Sequence, residues 1–386
     1  MLLLGIVSFF ADVSSEMVYP VVPLFLSGTL GAPAVAVGLI EGVAESTASI
    51  LKWISGWWSD RFERRTPFAA AGYGMAAVAK PLLAAAYVWP FVLFVRFIDR
   101  AGKGIRGAPR DALIAESAHP DGLGRAFGLH RAMDTSGAIL GPLIAIALLA
   151  WFGDGHYRPI FLIAGIPGVL ALVALLGVRE VRRARAAAPE TPPLLSLRGY
   201  DARFVLFLLA TLLFAAGNSS DAFLVLRAKD LGLGATAVVF AYVLYNIAYA
   251  GLSLPAGIRA DRIGPKPVLV AGLVVFALVY GGFALAPGDW AVWPLFVVYG
   301  AYIAMTDGVG KAYVSQLVPS ARRATALGLY NATTGVMLLV ASVAGGALWD
   351  LFGPPATFAF GASAALAAAA LLLFVSPGTT DASAAP

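Results

Sequence analysis

The chain has 386 residues, of which 60% are hydrophobic and only 13% are charged, and its mean hydropathy is +0.82. This composition excludes a soluble globular domain of such length. The formal net charge of +5 comes from short basic connections between apolar runs, so it does not indicate nucleic-acid binding. Because the chain contains no cysteine, disulfide bonds and thiol chemistry are excluded as well.

Twelve apolar runs follow one another along the chain, each close to the roughly 20 residues that a helix needs to span a bilayer. They cover residues 3–28, 35–58, 67–88, 90–115, 125–151, 158–178, 203–226, 235–258, 267–286, 291–317, 325–348 and 355–376. Alternating β-barrel patterning is absent, which favours helical spans. We therefore predict an all-α membrane protein with twelve transmembrane helices. The first run includes Asp12 and Glu16, so it is interpreted as a retained helix and not as a cleaved signal peptide.

Polar segments predict the domain organisation and the orientation in the membrane. The predicted order is an N-terminal six-helix bundle at 1–178, a linker at 179–202, a C-terminal six-helix bundle at 203–376 and a tail at 377–386. Lys and Arg concentrate in the connections after even-numbered runs and are sparse in the others. By the positive-inside rule, both termini and the linker are predicted to be cytoplasmic, with the protein in the cytoplasmic (inner) membrane.

The charged turn after the second run recurs after the eighth. Gly56-x-x-x-Asp60-Arg61 returns as Gly257-x-x-x-Asp261-Arg262, an offset of 201 residues (257 minus 56). Such a duplication predicts two six-helix, pseudo-symmetric halves with a site between them. Each turn is either a solvated loop that sets topology or a gate, meaning a set of contacts that closes one end of the protein, and the recurrence favours the gate. The predicted gating residues are Gly56, Asp60, Arg61, Arg64, Arg65, Gly257, Asp261 and Arg262.

A small-residue motif, Gly137-x-x-x-Gly141-Pro142, lies in the fifth run. Its glycines are four residues apart, so they flatten one helix face and let another helix approach closely, while Pro142 adds a local bend. The motif is interpreted as a helix-packing motif, and a role beyond packing stays open.

With these motifs the chain resembles the major facilitator superfamily over nearly its whole length. The turn from Gly56 to Arg65 resembles the family's loop 2–3 signature, whose Asp and Arg are understood to form an intracellular gate. The motif at Gly137 resembles the signature associated with antiporters. Arg96 resembles the arginine of a family motif in helix 4, although Arg100 stands where that motif has glycine. The resemblance implies that helices 1 and 4 line a central cavity.

The first half contains an unusual number of charged residues inside its apolar runs. A lone charge near the bilayer centre costs about 2.5–3.5 kcal/mol on insertion scales, so these groups must pair or face water. Eight acids and eight bases suit a paired network. The acids are Asp12, Glu16, Glu41, Glu45, Asp99, Asp111, Glu116 and Asp134, and the bases are Lys52, Lys80, Arg96, Arg100, Lys103, Arg106, Arg110 and Arg131, with His130 beside them.

The spacing of these charges indicates which of them share a helix face. Arg96, Arg100, Lys103 and Arg110 advance by 4, 3 and 7 residues, so they form a basic stripe on one face of helix 4. The stripe is interpreted either as part of a structural salt-bridge lattice or as a functional surface. For Asp12, Glu16, Arg96 and Asp134, which lie nearest the midplane, we favour a functional role.

The second half has fewer polar groups in its runs, among them Tyr249 in the eighth. Together with the first half, these groups define the predicted coupling and substrate cavity. Its members are Asp12, Glu16, Glu41, Glu45, Arg96, Asp99, Arg100, Lys103, Arg110, His130, Arg131, Asp134, Asn218, Asp221, Asn246, Asp307, Lys311, Tyr330 and Asn331.

No enzyme site is predicted. There is no P-loop for ATP hydrolysis, the three histidines lack metal-ligand spacing, and neither a cofactor nor a metal is expected. We predict a secondary active transporter of a small organic solute that works by alternating access, most simply by proton-coupled efflux (antiport). Alternatives are uptake or exchange of an organic anion, a lipid flippase, and a receptor or scaffold. The expected partners are the solute, a coupling ion (H⁺) and the lipid bilayer, with no nucleic acid, and the chain is expected to be a monomer.

Overall fold

The structure is a computed structural model, and it describes residues 2–61, 65–117, 123–178, 197, 200–319 and 322–375. Within these ranges the chain folds into fourteen α-helices and one short 3-10 turn, with no β-strand. The helices are α1 (Leu2–Val18), α2 (Val22–Gly28), α3 (Ala34–Arg61), α4 (Thr66–Leu83), α5 (Trp89–Ser117), α6 (Leu123–Phe152), α7 (Tyr157–Leu176), α8 (Ala202–Gly217), α9 (Ala222–Asp230), α10 (Ala235–Ile263), α11 (Pro265–Leu285), α12 (Val292–Leu317), α13 (Arg323–Phe352) and α14 (Pro354–Leu373).

These helices confirm the predicted architecture of twelve spans. Ten of the twelve runs predicted as spans appear as single helices, whereas the first run is broken into α1 and α2 and the seventh into α8 and α9. Ten helical segments of the described chain are long and apolar enough to cross a membrane. The two spans outside that set are α4 and α5. In α5, seven charged residues lie between Arg96 and Asp111, which lowers its apolar character.

The two halves repeat the same packing. In the first half α1 packs on α6 and α7, α3 packs on α5, and α4 packs on α5 and α7. In the second half α8 packs on α13 and α14, α10 packs on α12, and α11 packs on α12 and α14. The halves contact each other mainly along two reciprocal helix pairs, α3 with α13 and α6 with α10, and also through the short helices α2 and α9. The observed fold is therefore the predicted pair of six-helix, pseudo-symmetric halves.

The two ends of the bundle have different connections. We call the end where α7 finishes and α8 begins the linker end, and the opposite end, with the connections 29–33, 153–156 and 231–234, the distal end. The predicted linker 179–202 lies outside the described residues except for 197 and 200–202, and the predicted tail 377–386 lies wholly outside them. In the predicted orientation, the linker end faces the cytoplasm.

Glycines let the helices approach closely within and between the halves. A Cβ on Gly137 would lie 2.5 Å from the carbonyl oxygen of Phe9, and one on Gly141 would lie 2.7 Å from that of Val13. The structure thus places the motif of α6 directly against the backbone of α1. Between the halves, a Cβ on Gly42 would lie 2.8 Å from the Cα of Leu339 in α13. At such distances any larger residue would push the helices apart.

Candidate functional site

A cavity of about 790 Å³ lies between the two halves, towards the linker end. Helices α1 and α6 line it from the first half, and α10 and α12 line it from the second. Its polar lining consists of Asp12, Arg131, Asp134, Thr135, Asn246, Tyr249, Ser253, Asp261 and Asp307. Acidic groups outnumber basic ones in this lining, because four carboxylates stand beside one guanidinium.

A second cavity of about 350 Å³ lies between α3 of the first half and α8, α12 and α13 of the second. Its polar lining consists of Glu45, Ser49, Thr211, Asn218, Tyr302, Thr306, Asp307, Lys311, Tyr330, Asn331 and Thr334. Both cavities are lined by Asp307, so this carboxylate lies where they meet. Asp307 accepts hydrogen bonds from Lys311 Nζ at 2.7 Å and from the hydroxyl of Tyr249 at 3.2 Å.

Two carboxyl groups of the first half lie side by side at the wall of the larger cavity. Asp12 of α1 and Asp134 of α6 both line it, close enough for each to act on the charge of the other. Two neighbouring carboxylates repel each other, which favours a proton on one of the two groups. The Nη1 atom of Arg110 lies 4.0 Å from Asp134 Oδ1. The pair can therefore hold one proton within reach of the cavity.

Polar groups of three helices surround this acid pair on the linker side. The ring of His130 lies 2.7 Å from the hydroxyl of Ser8, and Arg110 donates to the same hydroxyl at 3.2 Å. Arg110 also donates to Asp111 at 2.9 and 3.1 Å. These bonds connect α1, α5 and α6 and hold Arg110 beside Asp134.

Arg96 of α5 is deeply buried and neutralised by α3. It donates to both carboxylate oxygens of Glu41, at 3.1 and 2.6 Å, and the two side chains are 3% and 2% exposed. Its Nη1 atom also lies 3.6 Å from Asp99 Oδ2, and its guanidinium carbon lies 5.8 Å from the ring centre of Tyr19. This bidentate geometry, with two hydrogen bonds from one guanidinium to one carboxylate, is the strong form of a charge-assisted hydrogen bond.

The ion pairs continue from Asp99 to two further cations. Lys80 of α4 donates to Asp99 Oδ1 at 2.5 Å, and the Nε atom of Arg100 lies 3.8 Å from Asp99 Oδ2. Arg100 in turn contacts Glu45 of α3 at 3.1 Å. The connected network contains three cations (Lys80, Arg96 and Arg100) and three anions (Glu41, Glu45 and Asp99), so it is balanced in charge.

The basic stripe predicted on helix 4, which is α5 in the structure, is thus divided between several environments. Arg96 and Arg100 face α3 and are paired there, Arg110 is bound by Asp111 and Ser8, and Lys103 is exposed. Among the described residues that line the two cavities, none belongs to α5. The stripe therefore lies inside the first half in this state, with Lys103 as its solvent-accessible member.

The predicted cavity residues divide accordingly. The structure brings ten of them to the walls of the two cavities: Asp12, Glu45, Arg131, Asp134, Asn218, Asn246, Asp307, Lys311, Tyr330 and Asn331. The other nine lie beside the cavities or within the helix bundles: Glu16, Glu41, Arg96, Asp99, Arg100, Lys103, Arg110, His130 and Asp221.

Five tyrosines that the sequence analysis missed form one connected cluster, of which Tyr302 also lines the second cavity: Tyr19, Tyr242, Tyr245, Tyr299 and Tyr302. Tyr242 donates to Glu16 across the halves at 2.9 Å, and Tyr299 donates to Asp221 at 2.6 Å. Four of them form pairs spaced three residues apart in α10 and α12, so each pair shares a helix face. That spacing was the sequence signal from which the two pairs of tyrosines could have been predicted to act together.

The predicted gating residues are described only in part. Arg64 and the side chains of Asp60 and Arg61 lie outside the described parts of the chain, and Gly56 lies within α3. Arg65 contacts Glu116 at 3.0 Å, which ties the start of α4 to the end of α5. In the second copy, Gly257 and Asp261 line the larger cavity and Arg262 is exposed. Within the described residues, no group of three or more His, Asp or Glu could hold a metal ion.

Twelve membrane-crossing segments in two similar halves, with a polar cavity between them, are the architecture of a multi-pass membrane transporter. The profile of the Major Facilitator Superfamily matches residues 4–227 and 206–385, so the chain belongs to this superfamily. The MFS-type transporter MJ1317 of Methanocaldococcus jannaschii is 36% identical over 97% of this chain and 94% of its own length. The multidrug resistance protein MdtG of Enterobacter lignolyticus is 25% identical over 85% of this chain and 77% of its own length.

Solved structures support the same fold. A crystal structure of the nucleoside transporter NupG superposes with a TM-score of 0.77 at 16% identity, covering 97% of this chain and 98% of that one. A POT family transporter in complex with 5-aminolevulinic acid superposes with a TM-score of 0.80 at 12% identity, covering 96% and 94%. At such identities the likeness concerns the fold alone.

Proposed function

We propose that this transporter exports a small neutral or cationic organic solute in exchange for protons. The proposal rests mainly on the neighbouring acids Asp12 and Asp134, which line the larger cavity and can share one proton there. A bound solute and a proton at this pair compete for the same negative charge. Such competition is the simplest basis of antiport, since release of one allows binding of the other.

The charge of the cavity favours a neutral or cationic solute over an organic anion. The larger cavity is lined by Asp12, Asp134, Asp261 and Asp307, and by Arg131 as its cation. The guanidinium groups that could have attracted an anion are already neutralised by acids of α3 and α5. A site of this charge raises the local concentration of cations and repels anions.

Relatives and orientation support export. MdtG of Enterobacter lignolyticus, which covers most of this chain, is named for multidrug resistance. In the proposed orientation the linker end is cytoplasmic, so the described cavities face the cytoplasm, where an exported solute would bind. The proposal includes both cytoplasmic termini, a gating role for the turns at Asp60 and Asp261, and function as a monomer.

The decisive experiment is flux in proteoliposomes with an imposed pH gradient. We would screen matched sets of cationic, neutral and anionic solutes of similar size. Accumulation of a cationic or neutral solute driven by the gradient, with proton movement in the opposite direction, is the expected result. Transport of the anionic set alone would instead favour the organic-anion alternative and would reject the proposed charge preference.

Variants of the acid pair test the coupling step. Asp12→Asn and Asp134→Asn should each abolish gradient-driven flux, while solute exchange without a gradient continues. The reason is that an amide side chain cannot take up and release a proton as a carboxylate does. Asp289→Asn is the matched control, since Asp289 is an exposed acid at the distal end, remote from both cavities. Full pH-driven transport in both acid-pair variants would show that the coupling proton is held elsewhere.

A further inference from the structure

We propose that Asp154 and Asp350 are gating residues that close the distal end, each by capping the first turn of a helix in the opposite half. In Asp350, Oδ1 accepts from the amide of Ala34 at 3.0 Å and Oδ2 accepts from the amide of Val35 at 2.9 Å. Asp350 lies in the last turn of α13, and the two amides begin α3. Both oxygens of one carboxylate thus bind free amides of the facing half.

Asp154 makes the equivalent contact at the other interface between the halves. Its Oδ2 accepts from the amide of Ala235 at 3.0 Å, and its Oδ1 accepts from the hydroxyl of Thr236 at 2.8 Å. Asp154 lies in the connection after α6, and its partners begin α10. A Cβ on Gly234 would lie 2.9 Å from Asp154 Oδ2, so glycine at that position leaves room for the carboxylate.

The two caps are reciprocal under the pseudo-symmetry of the fold. The first half supplies Asp154 from the connection after α6 and receives a carboxylate at the start of α3. The second half supplies Asp350 from the end of α13 and receives a carboxylate at the start of α10. The ends of α6 and α13 correspond to each other, because each helix ends in phenylalanine followed by glycine, Phe152-Gly153 and Phe352-Gly353, at an offset of 200 residues (352 minus 152). Asp154 follows its glycine by one residue, whereas Asp350 precedes its glycine by three. The same contact is therefore built twice from different positions.

Neither receiving helix has a side-chain cap of its own. The residue before α10 is Gly234, with no side-chain hydrogen bond to the first turn, and the residue before α3 is Pro33, whose side chain has no polar atom. The first amides of a helix have no partner within the helix, and an acid stabilises them through both hydrogen bonds and the helix dipole.

The position of Asp350 also argues for a role outside its own helix. An acid in the last turn of a helix is disfavoured by that helix's own dipole, so α13 gains nothing from a carboxylate there. The favourable contacts of Asp350 are those with α3. Because both caps join opposite halves, they exist only while the distal end is closed, and opening that end must break them.

Weakening a cap should therefore shift the protein towards states that are open at the distal end. Loss of one cap should change the equilibrium about fivefold, which corresponds to the usual cost of about 1 kcal/mol for a lost helix cap. The two caps share no partner, so their effects should multiply to roughly 25-fold in the double variant.

Site-directed labelling measures this shift directly, because the chain has no cysteine of its own. Ala32→Cys, buried in the distal connection before α3, reports opening of the distal end. Ala250→Cys, exposed in the wall of the larger cavity, reports opening of the linker end. With Asp154→Ala or Asp350→Ala, labelling at 32 should rise and labelling at 250 should fall, and Asp289→Asn should change neither.

A second variant separates gating from helix stability. Asp154→Ala combined with Gly234→Asp gives α10 an internal cap, since the backbone of Gly234 already has the extended conformation of a capping residue. If Asp154 closes the distal end, this double variant is as stable as the parent but remains shifted towards distal labelling. Return of both labels to parental rates would show that Asp154 only stabilises α10. Unchanged labels in both single variants, or a rise at both ends, would also overturn the proposal.

Discussion

The buried pair of Arg96 and Glu41 allows a quantitative test of whether the charge network is structural or functional. The perturbation is a double-mutant cycle of Arg96→Met, Glu41→Met and the double variant. Methionine replaces each charged side chain with an uncharged one of similar length. Removal of one partner from a buried ion pair costs about 3–5 kcal/mol, because the other charge is left without a partner. The side chains are 3% and 2% exposed, so this range applies here.

The surroundings of the pair predict which single variant is worse. In Glu41→Met, Arg96 keeps a carboxylate, since Asp99 lies 3.6 Å away, and the loss should be near the lower limit of about 3 kcal/mol. In Arg96→Met, Glu41 keeps no cation among its described ion pairs, and the loss should approach about 5 kcal/mol. The double variant removes both charges while Asp99 keeps Lys80 and Arg100, so it should be more stable than Arg96→Met.

The assay is thermal unfolding of the purified protein in detergent, combined with transport in proteoliposomes. The control is Lys52→Met, whose pair with Asp111 is 3.9 Å long and whose side chain is 57% exposed, so it should cost less than about 1 kcal/mol. A Glu41→Met protein as stable as this control would refute the reasoning. If the double variant is stable and transports, the pair is structural; if it is stable and inactive, the charges themselves serve transport.

Two shorter predictions concern the gates. Asp60→Ala should shift the protein towards states open at the linker end, by about 1–3 kcal/mol. If the labelling rate of an engineered cysteine at each end is the same with and without the substitution, that gating role is rejected. Tyr242→Phe removes the hydrogen bond to Glu16 across the halves, which should weaken distal closure by about 1 kcal/mol. Labelling of Ala32→Cys in this background checks the effect, and a parental rate would contradict it.

The helical architecture was predictable because bilayer thickness constrains every span to a similar apolar length. The breaks at 19–21 and 218–221 were missed, because the length of an apolar run does not reveal a break inside it, although Pro20 and the polar stretch Asn218-Ser219-Ser220-Asp221 stand at these positions. Equal numbers of acids and bases predicted pairing in the first half, but not the partners. Which carboxylate meets Arg96 depends on how α3 packs against α5, and local sequence spacing does not contain that information.

The contacts between the halves were beyond sequence reasoning for a related reason. Asp154 lies 81 residues from its partner Ala235, and Asp350 lies 316 residues from Ala34. Each aspartate stands in or beside a connection at the distal end, where an acid is ordinary, and only the fold shows that helix amides are opposite. The tyrosines were overlooked because an aromatic residue in an apolar run is indistinguishable by composition from a packing residue.

The charge network of the first half has a consequence for how the chain enters the membrane during synthesis. Helix α5 contains seven charged residues between Arg96 and Asp111, and each would cost about 2.5–3.5 kcal/mol alone at mid-bilayer. Its counter-charges Glu41, Glu45 and Lys80 belong to α3 and α4, which leave the ribosome earlier. Release of α3, α4 and α5 into lipid one at a time is therefore unfavourable, and these three helices must leave the insertion machinery together.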